Sequence, residues 1–212
     1  MASPTHEPIE RYGLSKRSLK KTLFSKIGVV GCGKDGSVIA TAAATHGMEV
    51  VCLERTNEQI TNAYGRIEEK LDRRIKGWGL TENEKKVILS RIKGTMDYSD
   101  FEGCDFVIEA IRYNSLTGER RITERKEVFR KLETVLEPDA IIASNVTTVI
   151  VSDLASELEF KSRCIGLHFL SNVVESQIIE IVRGLETSDD TYDKVSKFSS
   201  MINKKKKTVE KK

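Results

Sequence analysis

No apolar run in this 212-residue sequence approaches the roughly 20 residues that a membrane-spanning helix needs. The N-terminus lacks the hydrophobic core of a secretory leader, so nothing in it directs secretion. An excess of one charge sign is also lacking: the formal net charge is only +3, too small a basic excess to argue for nucleic acid. The four cysteines, Cys32, Cys52, Cys104 and Cys164, are scattered without metal-ligand spacing, and three sit within or beside apolar runs. They are expected to be buried, reduced thiols of a cytosolic protein, with no disulfide and no metal site. What remains is an ordinary globular composition, 39% apolar, with enough chain for one good-sized core.

Residues 1–25 are polar, with a basic cluster of Arg11, Lys16, Arg17, Lys20 and Lys21, and are expected to be a frayed tail, the alternative being a short helix beside the sheet; no function is assigned to them. The organising stretch follows, from Lys26 to Glu54. An apolar run, Ile27 to Val30, leads into Gly31-x-Gly33-x-x-Gly36, which opens a helix of small residues over about Lys34 to His46. A second apolar run, Val50 to Leu53, ends on Glu54. This is a βαβ unit of about 30 residues with the glycine spacing of a dinucleotide fingerprint. Gly31 suits a tight turn, Gly33 leaves room for a pyrophosphate, and Gly36 lets the helix pack closely on the strand. The helix N-terminus attracts phosphate. Glu54 is placed to accept hydrogen bonds from a ribose diol and to repel a 2′-phosphate, which predicts NAD rather than NADP. The alternative is a purely structural βαβ turn with an exposed acid.

Next comes a helical pair, Asn57 to Gly77 and Glu82 to Ile92, the first capped by Thr56 and the second by the capping box Thr81-x-x-Glu84. Alternation then resumes with a strand over Asp105–Ala110, a helix over Thr123–Leu136, a strand over Ala140–Asn145 and a helix over Val151–Leu158. Strands over Arg163–Phe169 and Gln177–Val182 follow, and Met201 to Lys212 supplies at most one last strand. The fold class is therefore α/β, a Rossmann-type doubly wound and mainly parallel sheet over residues 26–209, with an inserted helical pair and a tail over 210–212. In such sheets ligands bind outside the carboxyl ends of the strands. That rule gathers Gly31 to Gly36, Glu54, Ala110 to Tyr113, Asn145 to Thr148 and His168 into one cleft.

In order, the chain presents GxGxxG, the acidic strand end, the helical pair, Ile108-Glu109-Ala110, Ala143-Ser144-Asn145-x-Thr147-Thr148, Gly166-Leu167-His168-Phe169 and Ile179-Glu180-Ile181-Val182-Arg183-Gly184. This series resembles the NAD-binding domain of the 3-hydroxyacyl-CoA dehydrogenases over about Lys26 to Val209. The resemblance implies oxidation of a 3-hydroxyacyl-CoA, of short acyl chain such as 3-hydroxybutyryl-CoA, with reduction of NAD. It implies His168 as the base that takes the hydroxyl proton, a role suited to a neutral imidazole near pH 7. Glu180, twelve residues on, falls where the family has the carboxylate that orients that ring. Thr147 stands at the family's substrate-contacting serine and keeps its hydroxyl. Asn145 matches the asparagine beside the nicotinamide end, Ala110 lies at a cofactor-facing strand end, and Arg125 replaces a cofactor-contacting lysine. Lys34 is within reach of a pyrophosphate, whereas Asp35 brings a negative charge towards it unless turned to solvent.

The sequence also departs from the family pattern. His168-Phe169-Leu170-Ser171-Asn172 has no proline and shifts the asparagine by one, and Tyr113 stands where the family has a glutamate. The sequence stops where family members continue into a helical domain that completes the acyl-CoA cleft and the dimer. The partners implied are thus an acyl-CoA and either a second copy of the chain or a separate helical domain. Lys204 to Lys207 are expected to be a solvated tail, with contact to the phosphates of CoA as the alternative. A second function class stays open at this level, a nucleotide-binding module without turnover.

Overall fold

The apolar runs become strands because each is buried on both faces, as parallel strands covered by helices must be. The computed structural model describes residues 23–112, 121–145, 150–169 and 178–210. Strand β1 (Lys26–Val30) lies inside the sheet, flanked by β2 (Glu49–Leu53) and β4 (Phe106–Glu109), both parallel to it. The sheet has eight strands in the order β3-β2-β1-β4-β5-β6-β7-β8, with β3 at Ile92–Thr95, β5 at Ile141–Ser144, β6 at Cys164–Phe169, β7 at Ile178–Arg183 and β8 at Lys205–Glu210. Strands β1 to β6 are parallel; β7 runs antiparallel to β6, and β8 parallel to β7.

Helices cover both faces. On one face lie α1 (Lys34–Thr45), α2 (Asn57–Lys76), α3 (Glu82–Ser90) and α6 (Asp189–Met201), packing Ala40, Ala43, Ile67, Leu71, Val195 and Phe198 against Ile27, Val29 and Ile108. On the other lie α4 (Ile122–Val135) and the short α5 (Val151–Leu154), which set Phe129, Leu132 and Leu154 against Val30, Val107 and Ile142. Phe24, at the end of the expected tail, is 1% exposed and packs its ring on Phe106 and Phe198 at 5.4 and 5.5 Å. The chain is therefore anchored in the core two residues before β1.

Thr56 caps α2 by accepting the Gln59 N–H, and both halves of the Thr81–Glu84 capping box form. Helix α3 ends at Ser90, before the expected Ile92, because Ile92 pairs with Val50 and opens β3. The helical pair thus carries the chain from β2 to a parallel neighbour. Tyr64 of α2 secures that edge strand: its hydroxyl donates to the Ile92 carbonyl at 2.8 Å and accepts the Gly94 N–H at 3.0 Å. Two elements exceed the sequence reading. Strand β3 and helix α6 were not expected, while the lysine-rich end forms the last strand that the reading allowed, β8. No helix among the described residues is long and apolar enough to cross a membrane.

Candidate active site

A cleft of about 410 Å³ opens where β1, β2 and β4 end. Chain order diverges there, since β1 has β2 on one side and β4 on the other, and such a switch point is where open α/β sheets bind ligands. Gly31, Gly33, Lys34, Asp35, Glu54 and Ala110 all line it, as do Arg55, Arg112 and Arg121.

Each glycine of the loop has its own reason. Gly31 has φ +87°, which side chains rarely adopt, and its N–H donates to the Leu53 carbonyl at 2.9 Å. A Cβ on Gly36 would stand 2.0 Å from the Gly31 carbonyl oxygen, so only glycine lets α1 sit this close to β1. Gly33, the N-cap of α1, is different: its φ is −65°, and a Cβ there would meet no protein atom within 4 Å. Packing does not account for Gly33, and its position leaves open space beside the first turn of α1. No side chain caps α1, so its first N–H groups and positive dipole end are left to whatever the cleft holds.

The Cys32 backbone beside Glu54 favours its charged carboxylate. Partial burial nevertheless holds its carboxyl above the ordinary carboxylate range, against the opposing pull of the Cys32 backbone and of Arg55 and Arg66. Below the cleft floor lies a polar group that sequence reasoning missed. Glu109 at the end of β4 is fully buried and takes hydrogen bonds from Arg125 of α4, from Ser144 Oγ at 2.6 Å and from Ile111 N–H at 2.5 Å. Arg125, 2% exposed, also donates to the Ile111 carbonyl. Burial pushes the Glu109 carboxyl upward while these donors pull it back. Arg125 is therefore beneath Ala110 and Ile111 rather than in the lining of the cleft, and its bonds hold the floor from behind. The signal was present in the sequence: an acid inside the run Phe106–Glu109 needs a partner when buried.

A second constellation sits farther along the sheet. His168 is directly opposite Glu180 in the antiparallel β6–β7 pair, with Nδ1 3.2 Å from Oε2, and both side chains are 19% exposed. Glu180 Oε1 accepts from Lys207 Nζ at 3.1 Å. His168 and then Lys207 hold the Glu180 carboxyl below the ordinary range. Asn145 lies between this pair and the cleft: its N–H donates to the Glu109 carbonyl at 2.7 Å, and its Oδ1 accepts the Phe169 N–H at 2.9 Å. Thr147, Tyr113 and the segment Leu170 to Asn172 lie outside the described residues. Among the described residues no group of three or more His, Cys, Asp or Glu side chains is arranged to hold a metal.

A family model described as the 3-hydroxyacyl-CoA dehydrogenase NAD-binding domain matches residues 26–212. The chain belongs to this family. Its cofactor is NAD, and the cleft fits that group through the open room at Gly33, the uncapped α1 and the acid at the end of β2. Two relatives in the family are a 3-hydroxybutyryl-CoA dehydrogenase of Bradyrhizobium diazoefficiens, 30% identical over 86% of this chain, and a probable 3-hydroxybutyryl-CoA dehydrogenase of Deinococcus radiodurans, 32% identical over 84%. The chain spans 60% and 62% of their lengths. The crystal structure of the (S)-3-hydroxybutyryl-CoA dehydrogenase of Ralstonia eutropha superposes with a TM-score of 0.82 at 32% identity, over 89% of this chain and 64% of that one. The family fold thus extends through β8.

Proposed function

We propose that the chain provides the NAD-binding and proton-transfer half of a 3-hydroxyacyl-CoA dehydrogenase, acting on a short-chain substrate such as 3-hydroxybutyryl-CoA. The observation that carries this reading is the His168–Glu180 contact at 3.2 Å, at the carboxyl end of a strand in the same sheet as the dinucleotide cleft. NAD, when bound, supplies the hydride acceptor.

The rest falls to the protein. Glu180 accepts a hydrogen bond from His168 Nδ1–H, which fixes the tautomer and leaves Nε2 to take the substrate's hydroxyl proton. As the imidazolium forms, the carboxylate beside it stabilises the new charge. Gly33 and the start of α1 hold the pyrophosphate, and Glu54 accepts from the adenine-side ribose hydroxyls. Thr147 contacts the substrate oxygen, and Asn145 holds β5 to β6 beside the nicotinamide end.

The test is direct. Fluorescence titration with NADH measures cofactor binding, and acetoacetyl-CoA-dependent oxidation of NADH measures turnover. The expected result is binding in both the wild type and His168→Ala, with turnover lost in the variant. Full turnover in His168→Ala would remove His168 as the base, and binding without turnover in the wild type would reduce the chain to a cofactor-binding module.

A further inference from the structure

The four consecutive lysines near the end of the chain are not equivalent. In β8 successive side chains alternate between the sheet's faces. Lys206 goes to the α6 side, where its Nζ lies 5.2 Å from the centre of the Tyr192 ring, and Thr208 bonds the Tyr192 hydroxyl on that same side at 2.6 Å. Lys207 therefore points to the opposite face. Register places it directly across from Glu180, and Glu180 directly across from His168. The three form one row over three adjacent strands. The Glu180 carboxylate divides between its neighbours, Oε2 to His168 Nδ1 at 3.2 Å and Oε1 to Lys207 Nζ at 3.1 Å.

We propose that Lys207 is a positioning residue for the His168–Glu180 pair: its ammonium anchors one carboxylate oxygen so that the other stays aimed at the imidazole Nδ1–H. This inference rests on the dehydrogenase reading for its consequence in catalysis, but its structural content is independent of turnover. A glutamate side chain held at only one oxygen is free to rotate its second oxygen to solvent, and Glu180 is exposed enough for water to compete. Held at both, the carboxylate has one orientation that serves both partners. The side chain of Lys207 is itself 64% exposed, so it adds a charged anchor from the solvent side without closing access to the ring.

The experiment uses the full chain and nitrogen-15 NMR of the histidine rings at a pH where the imidazole is neutral. The nitrogen shifts report the tautomer, and His168→Ala identifies the signals among the three histidines. Lys207→Met is expected to lower the Nδ1–H to Nε2–H ratio of His168 roughly two- to fivefold, the range for a partly exposed ion pair. Lys207→Arg keeps the charge and the donor and restores the ratio. Lys205→Met, on the same strand face, leaves it unchanged.

If the wild type turns over acetoacetyl-CoA, Lys207→Met also lowers kcat by a similar factor with NADH affinity intact. If turnover is absent but the tautomer still shifts, the positioning role stands and the dehydrogenase reading falls. An unchanged tautomer ratio in a folded Lys207→Met protein overturns the proposal.

Discussion

A Cβ placed on Gly36 would lie 2.0 Å from the carbonyl oxygen of Gly31, so the first turn of α1 and the end of β1 touch through bare backbone. Two substitutions in the same loop should therefore behave differently. Gly36→Ala must push α1 away from β1, and overpacking of this kind costs about 1–3 kcal/mol. Gly33→Ala meets no protein atom and should leave urea unfolding close to wild type. NADH titration should show both variants weakened, Gly33→Ala because its methyl group enters the space of the pyrophosphate. A Gly33→Ala protein that binds NADH normally would contradict that placement.

If Glu54 takes the proposed place at the ribose, it should set a pH dependence for cofactor binding. Burial raises its carboxyl pKa, so in the free protein the group takes up a proton at higher pH than an ordinary glutamate. Only the carboxylate accepts from both ribose hydroxyls. NADH affinity should be full above the raised pKa and fall as pH drops through it. Glu54→Gln should flatten that step. Glu54→Ala should also narrow the preference for NADH over NADPH, since the repulsion of the 2′-phosphate is gone. Affinities for the two cofactors measured across pH check both statements.

The pair formed by Glu109 and Arg125 should be costly to break from one side. Removing one partner of a buried ion pair typically costs about 3–5 kcal/mol, because the other charge is left uncompensated. Arg125→Met should fall in that range in urea unfolding. Adding Glu109→Gln should return part of the loss, giving a coupling between the two sites. Arg125→Lys keeps the charge but loses the planar fork that reaches both Glu109 and the Ile111 carbonyl, and should be intermediate. A loss under about 1 kcal/mol for Arg125→Met would show that the pair contributes little to the fold.

How much of this was legible in the sequence depended on whether local chemistry or tertiary pairing made each element. The β1-α1-β2 unit was legible because its apolar runs, glycine spacing and acidic end all agree. The caps at Thr56 and Thr81 were legible because capping is local. Strand β3 was hidden because Lys93 and Gly94 separate its two buried residues, Ile92 and Thr95. In α6 only Val195 and Phe198 give a strong apolar signal, while the buried Thr191, Ser196 and Ser199 read as polar. Strand β8 has no intrinsic strand preference in its lysines, and pairing with β7 makes it one. In the site, the twelve-residue spacing from His168 to Glu180 reflects the register of β6 against β7, which composition does not reveal. Arg125 was expected to contact the cofactor, whereas it is buried against Glu109 outside the cleft lining, an arrangement that depends on the packing of α4 on β4.

The cysteines give a test that reads the whole fold. All four are buried and outside any disulfide, and burial pushes the Cys164 thiol up to about 12 and Cys32 well above its ordinary value. The thiolate is the reactive form. At pH 8 a group with a pKa of about 12 is ionised in roughly one molecule in ten thousand, four decades below its midpoint. Access is closed as well, so modification has to wait for opening of the structure. Ellman's reagent should therefore titrate four thiols in denaturant and almost none promptly in the native protein. The slow native reaction should follow the opening equilibrium and speed up in Gly36→Ala, whose folded state is strained, but not in Gly33→Ala. A thiol that reacts in the native wild type as fast as free cysteine would show that one of these four positions is open to solvent.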